Sequence, residues 1–173
     1  MLKKGFTLME LLVVIAIIGI LSLVILVNYR TGQKQYLLQQ AANQLAQDIR
    51  LAINRAITTK EFQEGYLVHG LKFSGQDSYQ FISCQCCGSD VINTCRDGET
   101  INLPAKIIIA SLSAQSPLTI KFIPPDPKVI FQGANGEEIT DSEVKITLQH
   151  QETQAEITIS VNKAGLIQIK KIR

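Results

Sequence analysis

The stretch that decides the fold reads Lys3-Lys4-Gly5-Phe6-Thr7-Leu8-Met9-Glu10-Leu11-Leu12-Val13-Val14-Ile15-Ala16-Ile17-Ile18-Gly19-Ile20-Leu21-Ser22-Leu23-Val24-Ile25-Leu26-Val27. Its apolar run of roughly twenty residues, at about 1.5 Å per helical residue, matches the thickness of a bilayer core of about 30 Å. Two lysines precede the run, and the positive-inside rule then places the N-terminus in the cytoplasm and the rest of the chain outside. The stretch therefore predicts a single-pass transmembrane helix.

Glu10 interrupts this apolar run, and it is the one formal charge between Lys4 and Arg30. A carboxylate inside a membrane helix costs about 3 kcal/mol unless it finds a partner. A plain membrane anchor gives no reason for such a residue. Glu10 is therefore expected to have a partner that neutralises its charge.

Residues 5–21 resemble, almost residue for residue, the prepilin signature of type IV pilins and type II secretion pseudopilins. The resemblance implies cleavage between Gly5 and Phe6 by a prepilin peptidase, N-methylation of the Phe6 amine, and assembly through Glu10. It also implies a precursor in the lipid of the inner membrane, an inner-membrane assembly platform, and other pilin or pseudopilin subunits as partners. A secretory signal peptide is the alternative, but its cleavage site follows a shorter apolar region, whereas here the site precedes the run.

The length of the chain allows one domain after the apolar segment. Of its 173 residues, about 140 follow the membrane segment, which is a usual size for a single domain. We expect a leader peptide at 1–5, a transmembrane and filament-core helix at 6–29, its amphipathic continuation at 30–60, and a β-rich head at 61–173. The net charge of +2 shows no overall bias toward nucleic acid.

The period of the apolar residues changes near Lys60. Before it, a helical spacing of three and four joins Leu38, Ala41, Ala42, Leu45, Ile49, Ala52, Ile53, Ala56 and Ile57. We expect one helix over about 6–59 with a bend or local melting at Gly32. After Lys60, alternation predicts strands at 65–73, 78–83, 106–110, 118–123, 128–131, 143–150, 155–161 and 166–171. The predicted fold is α+β, a long N-terminal helix packed on an antiparallel β-sheet head, which resembles the pilin architecture.

The segments at 41–57, 129–136 and 157–169 resemble the GspH/FimT family of minor pseudopilins and minor pilins. This resemblance implies a minor structural subunit of a type II secretion pseudopilus or a type IV pilus. Because some FimT-like minor pilins take part in DNA uptake through a basic C-terminal region, the alternative is a DNA-binding minor pilin. Its nucleic-acid contacts would be Lys170, Lys171 and Arg173, although such cations also commonly keep an edge strand from aggregating.

Four cysteines lie close together, at Cys84, Cys86, Cys87 and Cys95. Because disulfides persist outside the cytoplasm, one or two local bridges are the first interpretation. A bond between the adjacent Cys86 and Cys87 would be strained, so Cys95 is the expected partner of one of the three upstream sulfurs. Zinc held by four thiolates and free thiols in a reducing environment are the alternatives.

The sequence predicts no catalytic, metal or cofactor site. His69 and His150 each lie on a predicted strand without a neighbouring nucleophile or metal-ligand spacing. Neither a calcium loop nor a phosphate-binding glycine loop occurs. We therefore expect a structural protein without a cofactor. The alternative is a membrane-tethered enzyme that uses the prepilin-like segment as an anchor.

Overall fold

The computed structural model describes residues 5, 7–58, 66–87, 90–114, 116–124 and 128–172, and within these ranges it leaves out the side chains of 24–31, 66, 86–87, 90–94 and 172. In this part of the chain one α-helix is followed by nine β-strands. The chain divides into two compact units, Met1–Tyr36 and Leu37–Arg173.

The helix α1 spans Leu8–Thr58. It continues through Gly32, so the predicted local melting at that glycine is wrong, whereas the predicted bend stays a prediction. A glycine costs a helix only about 1 kcal/mol relative to alanine, and the hydrogen-bonded turns on either side keep the helix intact. Among the described residues, we find no helix with a stretch long and apolar enough to cross a membrane.

The strands form two antiparallel sheets in the second unit. In chain order they are β1 (Tyr66–Phe73), β2 (Ser78–Cys87), β3 (Asp90–Asn102), β4 (Ile107–Leu112), β5 (Leu118–Ile123), β6 (Lys128–Gln132), β7 (Glu143–His150), β8 (Glu156–Asn162) and β9 (Ile167–Ile172). The first sheet has the order β3-β2-β1-β5-β6, and the second has the order β4-β7-β8-β9. A helix followed by antiparallel sheets confirms the predicted α+β class.

The strand β3 is missing from the predicted set, and β2 runs beyond the predicted 78–83 to Cys87. The sequence of β3 contains charged residues, Asn and Gly, all of which are depleted in strands, so its local pattern does not reveal it. Its strand conformation depends on backbone pairing with β2, in which Ile101 lies opposite Tyr79. A Cβ added at Gly98 would lie 2.9 Å from the Phe81 carbonyl oxygen, so this β-bulge requires glycine.

The hydrophobic core of the second unit joins the helix to both sheets. One buried cluster contains Leu45 and Ile49 of α1, Phe73 and Phe131 of the first sheet, and Ile159 of the second, each at 0% exposure. The fully buried alanines of the helix are Ala41, Ala42, Ala46, Ala52 and Ala56. Because alanine adds little bulk, this face leaves room for the larger side chains of the strands.

Leu45→Ala should destabilise the second unit far more than Leu51→Ala on the same helix. Leu45 is 0% exposed and Leu51 is 40% exposed, so only the first substitution leaves a cavity. We expect a loss of about 3 kcal/mol for Leu45→Ala and less than about 1 kcal/mol for Leu51→Ala. Thermal unfolding of the full chain in detergent measures both, and equal losses would contradict the packing of α1 on the sheets.

A partly buried hydrogen bond also links α1 to the first sheet. The Tyr79 hydroxyl donates to Asp48 Oδ2 at 2.5 Å, and Tyr79 is 1% exposed. Burial raises the pKa of Tyr79 above its usual range, and the hydrogen bond to Asp48 and its negative charge raise it further. The folded chain therefore keeps this proton at a pH where the unfolded chain releases it.

Stability should consequently fall as the pH rises above about 10, the ordinary pKa of tyrosine in an unfolded chain. The contribution of Tyr79 is complete below that pH and is lost above it, with a slope of about 1.4 kcal/mol per pH unit until the folded state also ionises. Urea unfolding of the full chain between pH 8 and pH 11 tests this, with Tyr79→Phe as the control. An identical alkaline slope in Tyr79→Phe would contradict it.

Candidate functional site

Thr7 and Glu10 cap the N-terminus of α1. The Thr7 backbone N–H and the Thr7 hydroxyl both donate to Glu10 Oε2 at 2.9 Å. In return, the Glu10 backbone N–H donates to Thr7 Oγ1 at 3.2 Å. This reciprocal pair is a capping box, which satisfies N–H groups that the first helical turn leaves without an intrahelical partner.

The capping role of Glu10 is readable from the Thr-x-x-Glu spacing, but the charge pattern alone does not reveal it. Both donors from Thr7 end on Oε2. A carboxylate offers about four acceptor sites, so Glu10 keeps capacity for a further donor while it caps its own helix. The group can therefore serve the helix start and a second partner together.

The residues around and after Glu10 present an apolar surface in the single chain. Leu8 is 82% exposed, Ile15 is 59% exposed and Ile20 is 66% exposed. Burying one such side chain contributes about 1.5–3 kcal/mol, and a helix that is apolar all round is normally covered by lipid or by other helices. This part of α1 is suited to association rather than to contact with water.

Residues 1–26 match the family model of the prokaryotic N-terminal methylation motif. The chain carries a prepilin-type N-terminus. This match supports a type IV pilin-like protein, and it points to a membrane-anchored structural subunit. No curated protein and no solved structure matches the chain. The narrower resemblance to the GspH/FimT family stays a prediction.

The predicted processing site lies just before the capping box. Gly5 is exposed, and in the described part of the chain, its two neighbours aside, no atom lies within 4 Å of a Cβ built on it. Phe6, the predicted methylation site, and the leader residues 1–4 lie outside the described residues. Cleavage and methylation therefore stay predictions.

The structure joins Cys84 and Cys95 by a disulfide between directly opposite residues of β2 and β3. Cys84 is fully buried and packs with Val68 and Ile82 in a small apolar cluster. The bridge thus ties the edge strand β3 to the rest of its sheet. The side chains of Cys86 and Cys87 lie outside the description, and the described residues contain no group of ligands that could hold a metal ion.

Replacing both Cys84 and Cys95 by alanine should lower the stability of the second unit. A closed loop with a sequence separation of 11 residues removes chain entropy from the unfolded state worth about 3 kcal/mol. Thermal unfolding of the full chain with and without reductant measures this loss. Equal unfolding midpoints for the unsubstituted protein and the variant, both measured without reductant, would contradict a stabilising bridge at these positions.

The basic residues of β9 do not form one patch. Side chains alternate between the two faces of a strand, so Lys170 and Lys171 lie on opposite faces of the second sheet. Lys170 pairs with Thr158, whereas Lys171 pairs with Ile157 of the row that faces the core. Arg173, the third predicted DNA contact, lies outside the described residues. DNA binding through this strand stays a prediction.

The two histidines interact with other groups of the folded protein. His150 is 2% exposed, and its Nδ1 accepts a hydrogen bond from the Glu152 backbone N–H at 3.2 Å. Burial lowers the pKa of His69, and the positive charge of Arg55 lowers it further. A polar hollow of about 370 Å³ lies between the turn before β2 and the segment leading into β4, and it is lined by neither histidine nor cysteine.

Proposed function

We propose that this chain is a minor structural subunit of a type II secretion pseudopilus or a type IV pilus. A prepilin peptidase cleaves it between Gly5 and Phe6, and the new Phe6 amine is methylated. The observation that carries the proposal is the match of residues 1–26 to the N-terminal methylation motif. The partners are other pilin or pseudopilin subunits and the inner-membrane assembly platform.

In this proposal each segment of the chain has its own role. The leader at 1–5 is removed. The helix at 6–29 lies first in the inner membrane and then in the filament centre, and residues 30–60 form its amphipathic continuation. The head at 61–173 lies outside the cytoplasm. The exposed apolar side chains around Ile15 support the transfer, because lipid and the helices of neighbouring subunits can cover the same surface.

Glu10 supplies the specific contact between subunits. Its carboxylate keeps acceptor capacity beyond the two hydrogen bonds from Thr7. In a filament centre with little water, an unpaired carboxylate is strongly unfavourable, and the Phe6 amine of a neighbouring subunit neutralises it. Only certain axial positions of two helices bring these groups together, so the pair sets the register of assembly.

The test uses the full chain in cells that assemble filaments, with the prepilin peptidase present or deleted. Filaments are isolated and analysed by peptide mass spectrometry. We expect the chain in the filament fraction only when the peptidase is present. A chain that stays in the membrane fraction while filaments form normally would contradict the proposal.

A further inference from the structure

The four outer strands of the two sheets differ in how far their edges are covered. On β6 the Ile139 N–H donates to the Phe131 carbonyl at 2.8 Å, and on β4 the Ile109 N–H donates to the Gln76 carbonyl at 2.6 Å. The edge of β3 is irregular, because its pairing with β2 shifts at two places. In contrast, β9 pairs with six consecutive residues of β8 without a shift. Among the described strands, β9 therefore has the regular, uncovered edge.

The register of β9 shows which of its backbone groups face this edge. The Asn162 N–H donates to the Leu166 carbonyl at 3.2 Å, so these residues form a hydrogen-bonded pair beside the turn. Hydrogen-bonded pairs alternate along an antiparallel ladder, so the even-numbered residues of β9 bond to β8. The backbone groups of Ile167, Ile169 and Lys171 therefore point to the open edge, where an extended segment of another protein can bond to them.

The apolar row of the second sheet is incomplete at β9. Ile169 belongs to the row that faces the core, yet it is 37% exposed, whereas its partner Ile159 on β8 is fully buried. Strand pairs are stabilised by contacts between side chains that lie directly opposite each other. An additional strand with an apolar residue opposite Ile169 would cover it and complete the row.

The edge of β9 is positively charged. Lys170 and Lys171 are both exposed, β9 contains no acidic residue, and neither lysine forms an ion pair with a described residue. The single acid of β8, Glu156, lies opposite Ile172 and accepts a hydrogen bond from Gln149. Lysines at a sheet edge repel a second copy of the same strand and favour acidic side chains opposite them.

A second copy of this chain does not supply a suitable partner strand. Pairing β9 with β9 would bring lysines together, which is unfavourable. At the edge of β3, exposed Arg96 offsets the exposed acids Asp97 and Glu99, and Asp97 also lies 3.7 Å from Lys72. In the proposed function a minor subunit lies beside subunits of other kinds. The partner of β9 is therefore a different protein.

We propose that the edge of β9 binds an extended acidic segment of a different subunit, which adds one strand to the second sheet. The inference rests on the proposed function and specifies how the head contacts a neighbour. Residues directly opposite each other share a face of the sheet, so the pattern of β9 determines the pattern of its partner. Acidic residues lie opposite Lys170 and Lys171, and apolar residues lie opposite Ile167 and Ile169. The segment thus carries two adjacent acids next to an apolar-polar-apolar sequence.

A photo-crosslinking amino acid placed at Ile169 of the full chain tests the contact in membranes and in isolated filaments. Irradiation should link this position to a different subunit, and mass spectrometry of the linked peptide should show the acidic pattern. The matched control places the same group at Ala134, which is exposed in the turn after β6, and should not give this link. A link to a second copy, to DNA or to a segment without acidic residues, or no link at all, would overturn the proposal.

Charge reversal provides a second readout. Lys170→Glu should lower the crosslink yield by about fivefold or more, because like charges across a contact suppress association. Lys145→Glu makes the same change at an exposed residue of β7, away from this edge, and should leave the yield unchanged. Equal yields in the two variants would contradict the proposal.

The N-terminus is measured in the same samples, so that the two proposals can fail separately. A processed chain in filaments without the crosslink contradicts this contact alone. An unprocessed chain that still gives the crosslink in membranes contradicts the proposed function alone.

Discussion

Glu10→Ala should remove the chain from filaments while leaving it inserted in the membrane and cleaved. The carboxylate is needed only when the amine of another subunit approaches, so earlier steps do not depend on it. Removing one partner of a buried ion pair costs about 3–5 kcal/mol, and every 1.4 kcal/mol is about tenfold in an equilibrium. Incorporation should therefore fall by at least about tenfold, as measured by quantitative peptide mass spectrometry of filament and membrane fractions.

Two further variants separate the charge of Glu10 from its role in the capping box. Glu10→Gln removes the charge but keeps an oxygen that can accept from Thr7, so it should fail to assemble as Glu10→Ala does. Thr7→Ala keeps the charge and removes the hydroxyl, which costs about 1 kcal/mol as the loss of an N-cap. Its incorporation should fall much less. Normal assembly of Glu10→Gln together with failure of Thr7→Ala would show that the cap, and not the charge, is required.

Gly5→Leu should block processing and leave the precursor in the membrane. Among the described residues, the chain neighbours aside, no atom lies within 4 Å of a Cβ on Gly5, so the effect of a larger side chain reports on recognition by the peptidase. We expect the processed fraction to fall by at least about tenfold, corresponding to a barrier increase of about 1.4 kcal/mol. Intact mass spectrometry of membrane extracts measures the ratio of precursor to mature chain.

Gly32→Ala is the matched control for this experiment. A Cβ on Gly32 also meets no described atom within 4 Å beyond the backbone of its own helix, and this glycine lies inside α1, away from the cleavage site. Alanine favours the helix by about 1 kcal/mol, and processing should be unchanged. Complete cleavage of Gly5→Leu at the native site would contradict recognition of Gly5 by a prepilin peptidase.

Local patterns in the sequence predict the helix and eight of the strands, because burial on one face gives the second half of the helix a period of 3.6 residues and most of these strands a period of 2. Local patterns do not predict β3, because few side chains of this edge strand are buried. Its strand conformation depends on pairing with β2. The same pairing brings Cys95 opposite Cys84, a choice that cysteine spacing left open among three upstream sulfurs. Long-range register is the information that a local pattern lacks.

The candidate site is more readable than the head, because its chemistry lies within consecutive residues. Its residues are Gly5, Thr7 and Glu10, which lie in or just before the first turn of α1. The opposite directions of Lys170 and Lys171 also follow from strand alternation. Which sheet edges are covered does not follow from the sequence, since Gln76 meets β4 only after the chain has folded.

N-terminal and intact mass spectrometry of the chain extracted from its own membranes tests the central claim most directly. The account predicts a chain that begins at methylated Phe6, with a mass increase on reduction from the Cys84–Cys95 disulfide. A chain that still begins at Met1 in cells with an active prepilin peptidase would contradict it, and the N-terminal segment would then be a plain anchor.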